Sequence, residues 1–401
     1  MDVSLHGTPS GACAGLKVLD FSTVVAGPMC AMILGDLGAE VIKIEPPRGD
    51  ATRQMGPPFK GGLTAVFAQF NRNKRGVVID LKQAAGQAVA QRLAETADVA
   101  VQNFRPGVAH RLGIDYSTLA ARNPRLVYLA ISGFGPDGPY ADLPAYDTVI
   151  QGLTGHTSIQ GGGQTPALIR SLVADKATAL TGAYAILAAL LARERSGCGQ
   201  MIDLPMLDAF AAFILPDALL YDTFLPSDEW QGLPDITAIH RTWQTADGHV
   251  VILTVEDWQF QSLCRVLQRD ELSRDDRFSS LPMRIVNYVE LFALLETELR
   301  KWPTATLVER AREFGAQLAR ANSLQQFLAD PQVAVNRTVF EADDPGAGRI
   351  RYLRNPVRLA ATPPSLRRHP PRLAEHTDEI LRAAGFADTE ISALRASRAV
   401  A

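Results

Sequence analysis

The chain alternates short apolar runs with stretches whose apolar residues recur every three or four positions. Residues 16–21 (Leu-Lys-Val-Leu-Asp-Phe) read as a strand, Gly27-Pro28 breaks the chain, and 29–37 has helical spacing up to Gly38. Residues 40–45 (Glu-Val-Ile-Lys-Ile-Glu) read as a second strand, cut off by Pro46-Pro47. Strand, helix and strand within about 30 residues form a βαβ unit, which predicts a parallel sheet.

The alternation continues to about residue 200. A Pro/Gly-rich loop at 48–62 leads, past Asn71–Gly76, to a strand at 77–81, a helix at 84–96 and a strand at 99–102. After the loop Asn103-Phe104-Arg105-Pro106-Gly107 comes a strand at 125–131. A Gly/Pro-rich turn at 132–140 opens toward a helix starting near 148, and Gly161–Gln164 reads as a flexible connector. The turn after the first strand, Ser-Thr-Val-Val-Ala-Gly-Pro, lacks the GxGxxG fingerprint, which argues against a dinucleotide enzyme. The repeated β/α units predict a Rossmann-like α/β domain over 1–208, with ligand loops at the carboxyl ends of its strands.

Past Asp208 the pattern changes. An apolar segment at 210–224 is helical with a kink at Pro216, and 226–234 reads as linker, within a linking stretch set at 209–234. A hairpin over 242–255 turns at Asp247-Gly248, and helices follow at 256–269, 288–300 and 304–313, giving a smaller α+β domain at 235–325. A return marked by 331–333 and 338–341, strand candidates near 349–353, a Pro-rich stretch at 363–371 and a last helix at 377–385 make up the C-terminal segment 326–401.

The longest run of helix formers, 177–195, is rich in Ala and Leu, carries Arg193 and Arg195 in its last turn, and stops at Gly197. Asp175 stands just before it, at the positive end of the helix dipole. Two readings stay open. Asp is a favoured N-cap, although Thr178 offers no capping-box partner. Asp175 is equally a candidate carboxylate nucleophile, held ionised by the helix end.

The chain of 401 residues is 47% hydrophobic, enough for a large core and two domains. Its formal charge of −3 supplies no general field for nucleic acid or an anionic membrane, so neither is expected as a partner. The stretch 177–192 is shorter than a membrane span and is interrupted by Thr178, Thr181 and Gly182, so it reads as a buried helix. The four cysteines form no CxxC pair and the seven histidines show no HExxH spacing, so neither a metal site nor a disulfide framework is expected. Reduced thiols and an N-terminus without a basic and an apolar signal region predict a cytoplasmic protein. A polyanionic ligand then needs a local patch, for which Arg105, Arg111, Lys74, Arg75 and Lys82 are candidates. The alternative for each is solvated surface charge.

Taken in order, several stretches resemble the class III CoA-transferase family, whose relatives include the alpha-methylacyl-CoA racemases. They are Val18–Phe21, Ala26-Gly27-Pro28, Gly35–Glu45, Asn73-Lys74-Arg75, Asn103–Gly107, Gly197–Gln200, Asp330–Val333 and Glu375–Glu379. The resemblance implies a ring-like, interlocked homodimer. Its large Rossmann-like domain would be built from both chain ends, so that 326–401 returns to it. It also implies that Asp175 is the nucleophile, attacking an acyl-CoA donor, with a carboxylic acid as acceptor and coenzyme A as the carried group. By match, CoA contacts fall on Val25, Ala26, the strand end Ile79 to Lys82, Asn103, Phe104, Arg105, Arg111, Ala145, Tyr146 and Asp147, with Tyr146 and Asp147 helping to shape the acyl site.

Two departures bear on the substrate. Formyl-CoA transferases carry Gln where Val25 stands, and a glycine-rich lid absent from 226–255, which argues against oxalate and formate. Racemases carry His in the place of Tyr146, and a tyrosine of ordinary pKa near 10 is a poor base at neutral pH. An acyl-CoA:carboxylate CoA-transferase is therefore expected. A 2-methylacyl-CoA isomerase and a non-catalytic CoA-binding protein are the alternatives.

Overall fold

The computed structural model describes residues 11–162, 164–226 and 236–401. The first ten residues of the N-terminal lead-in, Gly163 of the connector and most of the 226–234 linker lie outside the described residues. The chain divides into two compact units, one of Met1–Pro216 with Val335–Ala401 and one of Asp217–Ala334.

In the larger unit the strands are β1 (Lys17–Asp20), β2 (Glu40–Glu45), β3 (Lys74–Val78), β4 (Val99–Gln102), β5 (Val127–Ser132) and β6 (Met201–Pro205). Among the described residues they form one sheet in the order β3-β2-β1-β4-β5-β6, every neighbouring pair parallel. Alternate strand residues face opposite ways. Val18, Val41, Val99, Val101, Leu129 and Ile131 join one apolar cluster with helices α1 (Ala26–Asp36), α4 (Val173–Ser196) and α5 (Met206–Ile214). Leu19, Ile42, Ala100, Tyr128 and Ala130 join the other with α2 (Ala84–Ala94) and the C-terminal helices α9 (Thr377–Ala383) and α10 (Asp388–Ala396). A parallel sheet covered on both faces explains why its strands read as near-continuous apolar runs.

Several boundaries differ from expectation. Gly27-Pro28 does not break the chain: both residues sit in the first turn of α1, where proline has no hydrogen bond to lose. Helix α4 starts at Val173, so Asp175 lies inside its first turn rather than before it. At 24 residues α4 is long enough to span a bilayer, contrary to the shorter reading, but Ala179, Ala183, Ile186 and Leu190 on one face are packed into the core. Gly197 ends α4 in the left-handed conformation (φ 74°), donating its N–H to Arg193 O at 2.8 Å. At the other end of that sequence α5 stops at Ile214 instead of kinking at Pro216.

The smaller unit holds a three-stranded antiparallel sheet of β7 (Thr242–Gln244), β8 (His249–Ile252) and β9 (Leu318–Arg320). It packs with α6 (Asp257–Leu267), α7 (Tyr288–Leu299) and α8 (Thr304–Phe314) around Trp243, Phe260, Leu263, Leu295 and Leu307. The C-terminal return to the larger unit brings the hairpin β10 (Val339–Asp344) and β11 (Gly348–Leu353).

Candidate active site

Strand β1 ends in Asp20 and the chain turns through Phe21–Val25 into α1. This turn, the loop after β4 and the start of α4 enclose a cleft of about 180 Å³ at the carboxyl ends of the strands. Thr23, Asn103, Phe104, Arg105, Ala145, Tyr146 and Asp175 line it. Gly133 on its wall has no room for a side chain, because a Cβ there would lie 2.3 Å from that of Ala145.

Asp175 is 8% exposed. Its carboxylate faces the Ala26 N–H in the first turn of α1, a dipole that favours the ionised form. Its own N–H, one of the unpaired donors of the α4 N-terminus, goes to Asp147 Oδ2 at 3.0 Å. The N-cap position belongs to Leu172, which has no side chain to offer, so the N-cap reading of Asp175 does not hold. Asp147 does that work from a neighbouring helix, α3 (Asp147–Leu153), and is itself held by Gln151 Nε2 at 2.6 Å. Gln151 also bonds Ile169 and Ser171, so the segment entering α4 is tied to α3. Burial, and then the Asp147 carboxylate, push the Asp175 carboxyl up to about 7, with the Ala26 N–H and Lys176 pulling the other way.

The remaining predicted residues separate into groups. Val25 and Ala26 are buried, and Ala26 reaches Asp175 through its backbone only. Asp147 is buried and spent on the α4 N-terminus, while Tyr146 is 67% exposed at the cleft. The Ile79 side chain is buried, and its backbone bridges Val400, so it offers no side-chain contact. Lys82 and Arg111 are exposed and do not line the cleft, but Gln87 Nε2 donates to both Leu81 O and Arg111 O, which makes them neighbours. Neither they nor Arg105 has a carboxylate partner among the described residues.

Lys74 and Arg75 do not join them. Strand β3 begins at Lys74, three residues earlier than the pattern suggested, and this buries Lys74 completely. Its ammonium donates to Asp20 Oδ2 at 2.7 Å, Pro28 O at 2.8 Å and Asn71 Oδ1 at 2.8 Å. Burial lowers its pKa to about 8 against the pull of Asp20. Arg75 is paired with Glu40 and Glu379. Lys74 is one corner of a buried ion cluster that the sequence pattern did not disclose. Lys43 Nζ lies 2.9 Å from Asp50 Oδ2, 3.9 Å from Asp20 Oδ2, and donates to Ser22 O at 3.0 Å. Burial would raise both carboxyls, yet Lys74 and Lys43 hold Asp20, and Lys43 holds Asp50, below their ordinary values.

A cleft at the carboxyl edge of a doubly wound sheet, with a buried carboxylate on its floor and Arg105 on its lining, is the place where α/β enzymes bind their ligands. The chain belongs to CoA-transferase family III, whose family model matches residues 13–377. Enzymes of this class take CoA thioesters as substrates. The chain is 35% identical over 381 residues to the succinate–glutarate CoA-transferase of Agrobacterium fabrum, covering 92% of this chain and 94% of that one. It is 34% identical over 357 residues to an acetyl-CoA:oxalate CoA-transferase of Acetobacter aceti, covering 88% and 90%. A crystal structure of a CaiB/BaiF family protein from Brucella suis superposes with a TM-score of 0.81 at 35% identity, covering 94% of this chain and all of that one.

Proposed function

We propose that the protein moves CoA from an acyl-CoA donor to a carboxylate acceptor through covalent intermediates on Asp175. The observation that carries this is the Asp175 carboxylate itself, buried on the cleft floor, faced by the Ala26 N–H and with its pKa raised to about 7 by burial. Asp175 attacks the thioester carbonyl, the C–S bond breaks, and CoA thiolate leaves an acyl–aspartyl anhydride. The thiolate then attacks the aspartyl carbon and expels the donor acid, giving an aspartyl-CoA thioester. The acceptor carboxylate displaces thiolate to form a second anhydride. Thiolate finally attacks the acceptor's carbonyl, releasing the new acyl-CoA and the Asp175 carboxylate. Asn103, Phe104 and Arg105 border the path of the thioester, and Lys82 and Arg111 supply cations for the phosphates.

Succinyl-CoA with glutarate, followed by liquid chromatography, is expected to yield glutaryl-CoA, with oxalate in parallel as the acceptor argued against. In deuterated water a 2-methylacyl-CoA is expected to keep its α-hydrogen, because a tyrosine stands at 146 where the racemases carry histidine. Absence of transfer to every dicarboxylate, together with fast enzyme-dependent deuterium uptake, would make the isomerase the better reading.

The protein is read as a dimer. Leu180, Tyr184, Leu187 and Leu191 recur at helical spacing on the outer face of α4 and are 50%, 64%, 38% and 65% exposed. An apolar stripe of this kind marks a protein interface. A second copy of the chain covers it in the interlocked arrangement. Mass photometry at nanomolar concentration is expected to show the dimer, and a monomer at that dilution would contradict it.

A further inference from the structure

We propose that Asp50 is a positioning residue for Asp175, acting through the turn Ser22–Ala26. The inference rests on Asp175 being the nucleophile. The turn has one residue in an unfavourable conformation: Val24, β-branched and not glycine, has φ 69°. Left-handed backbone is costly for such a residue and persists where surrounding groups over-determine it, typically beside reacting atoms. Two residues further on, the Ala26 N–H meets the Asp175 carboxylate.

The turn is held from several sides. Val24 N–H donates to Asp50 Oδ1 at 3.3 Å. Ser22 donates its N–H and its hydroxyl to Asp20 Oδ1, and Ser22 O accepts from Lys43. Thr23 exchanges two bonds with Asn103, at 2.8 and 2.7 Å. Gly27 seals the fit, since a Cβ there would stand 2.2 Å from that of Ser22. Asp50 is the one anchor that grips the strained residue itself. It is 1% exposed, and is fixed in turn by Lys43, by the Thr52 N–H at 2.9 Å and by the Thr52 hydroxyl at 2.7 Å. Its peptide N–H is fixed by Glu45, which also takes a two-bond clasp from Arg53. Asp50 does not line the cleft, so its route to the chemistry runs through the backbone of Val24–Ala26.

The test compares wild type, Asp50→Ala, Asp50→Ala with Val24→Gly, and Val24→Pro. The readouts are kcat, the KM of the CoA ester and the pH dependence of kcat/KM. The groups facing Asp175 are Asp147 on α3, the Ala26 N–H on α1 and Lys176 on α4. Alanine leaves no acceptor for the Val24 N–H, and releasing the Ala26 N–H removes a group that favours the carboxylate. Asp50→Ala is therefore expected to lower kcat by about tenfold to a hundredfold at unchanged KM, with the ascending limb moved to higher pH. Glycine takes positive φ without strain, so adding Val24→Gly is expected to recover most of the kcat. Val24→Pro removes the N–H that Asp50 holds and forbids φ 69°, so it is expected to reproduce the kcat loss and the limb shift even if Asp50→Ala does not fold. Wild-type limbs in both variants, with only the yield of folded enzyme reduced, would overturn the proposal. Asp175→Asn is run alongside. If it is inactive while the Asp50 and Val24 variants match wild type, this inference alone fails, whereas an active Asp175→Asn removes the reading beneath it.

Discussion

Asp175→Asn is expected to lower CoA transfer by at least ~10³-fold and to leave the protein folded. An amide cannot form the anhydride, yet Asn retains a side-chain oxygen for the Ala26 N–H and its backbone N–H still reaches Asp147. The pH dependence has a definite sign. The Asp175 pKa is raised to about 7, so the folded state holds a proton that the unfolded state has released above its ordinary value. Stability attributable to this group is complete below the unfolded value and is lost as pH rises through about 7. Asp175→Asn cannot ionise and is expected to match or exceed the wild type in denaturant midpoint above neutral pH. In the wild type, kcat/KM is expected to climb with pH up to a plateau just above neutrality. A flat profile from acid to neutral pH, or a poorly folded Asn variant, would count against this assignment.

Lys74→Met is expected to destabilise the larger unit by ~3–5 kcal/mol, the cost typical of stripping one partner from a buried ion pair. Methionine has similar length but cannot donate to Asp20, Pro28 O or Asn71, and Asp20 keeps the two Ser22 bonds and, as its cation, the more distant Lys43. The comparison is Arg382→Ala, whose pairs with Asp378 and Asp388 are solvent-exposed and are expected to contribute little. Urea unfolding of the two variants measures the difference. Equal, small losses would mean that the cluster around Asp20 adds nothing to the fold.

The strands around β1, β2 and β4 are legible because a doubly covered parallel sheet favours apolar runs, as in Val99-Ala100-Val101. Strand β6 is not, since Met201 and Asp203 are exposed at the sheet edge and Pro205 ends it. Lys74 looked like a loop cation because a charge within a strand is expected to face water. Nothing local reveals that Asp20, distant in sequence, is its partner. Asp175 stands out in the sequence by its placement near the α4 N-terminus and by the family resemblance, whereas the residue that takes its N–H does not. Asp147 reaches it from 28 residues away, and a tertiary bond of that kind leaves no periodic trace. Asp50 and Val24 escaped for the same reason: a positive φ at valine opposes local propensity and is visible only in three dimensions.

The most direct test follows oxygen. When an acceptor carboxylate labelled with ¹⁸O attacks the aspartyl-CoA thioester, its oxygen bridges the second anhydride and remains on the aspartate once thiolate takes the acyl group. After many turnovers with unlabelled acyl-CoA, the peptide containing Asp175 is expected to carry ¹⁸O by mass spectrometry, and the same peptide from Asp175→Asn is expected to carry none. Sustained transfer with no label in the wild-type Asp175 peptide would contradict covalent catalysis on this residue.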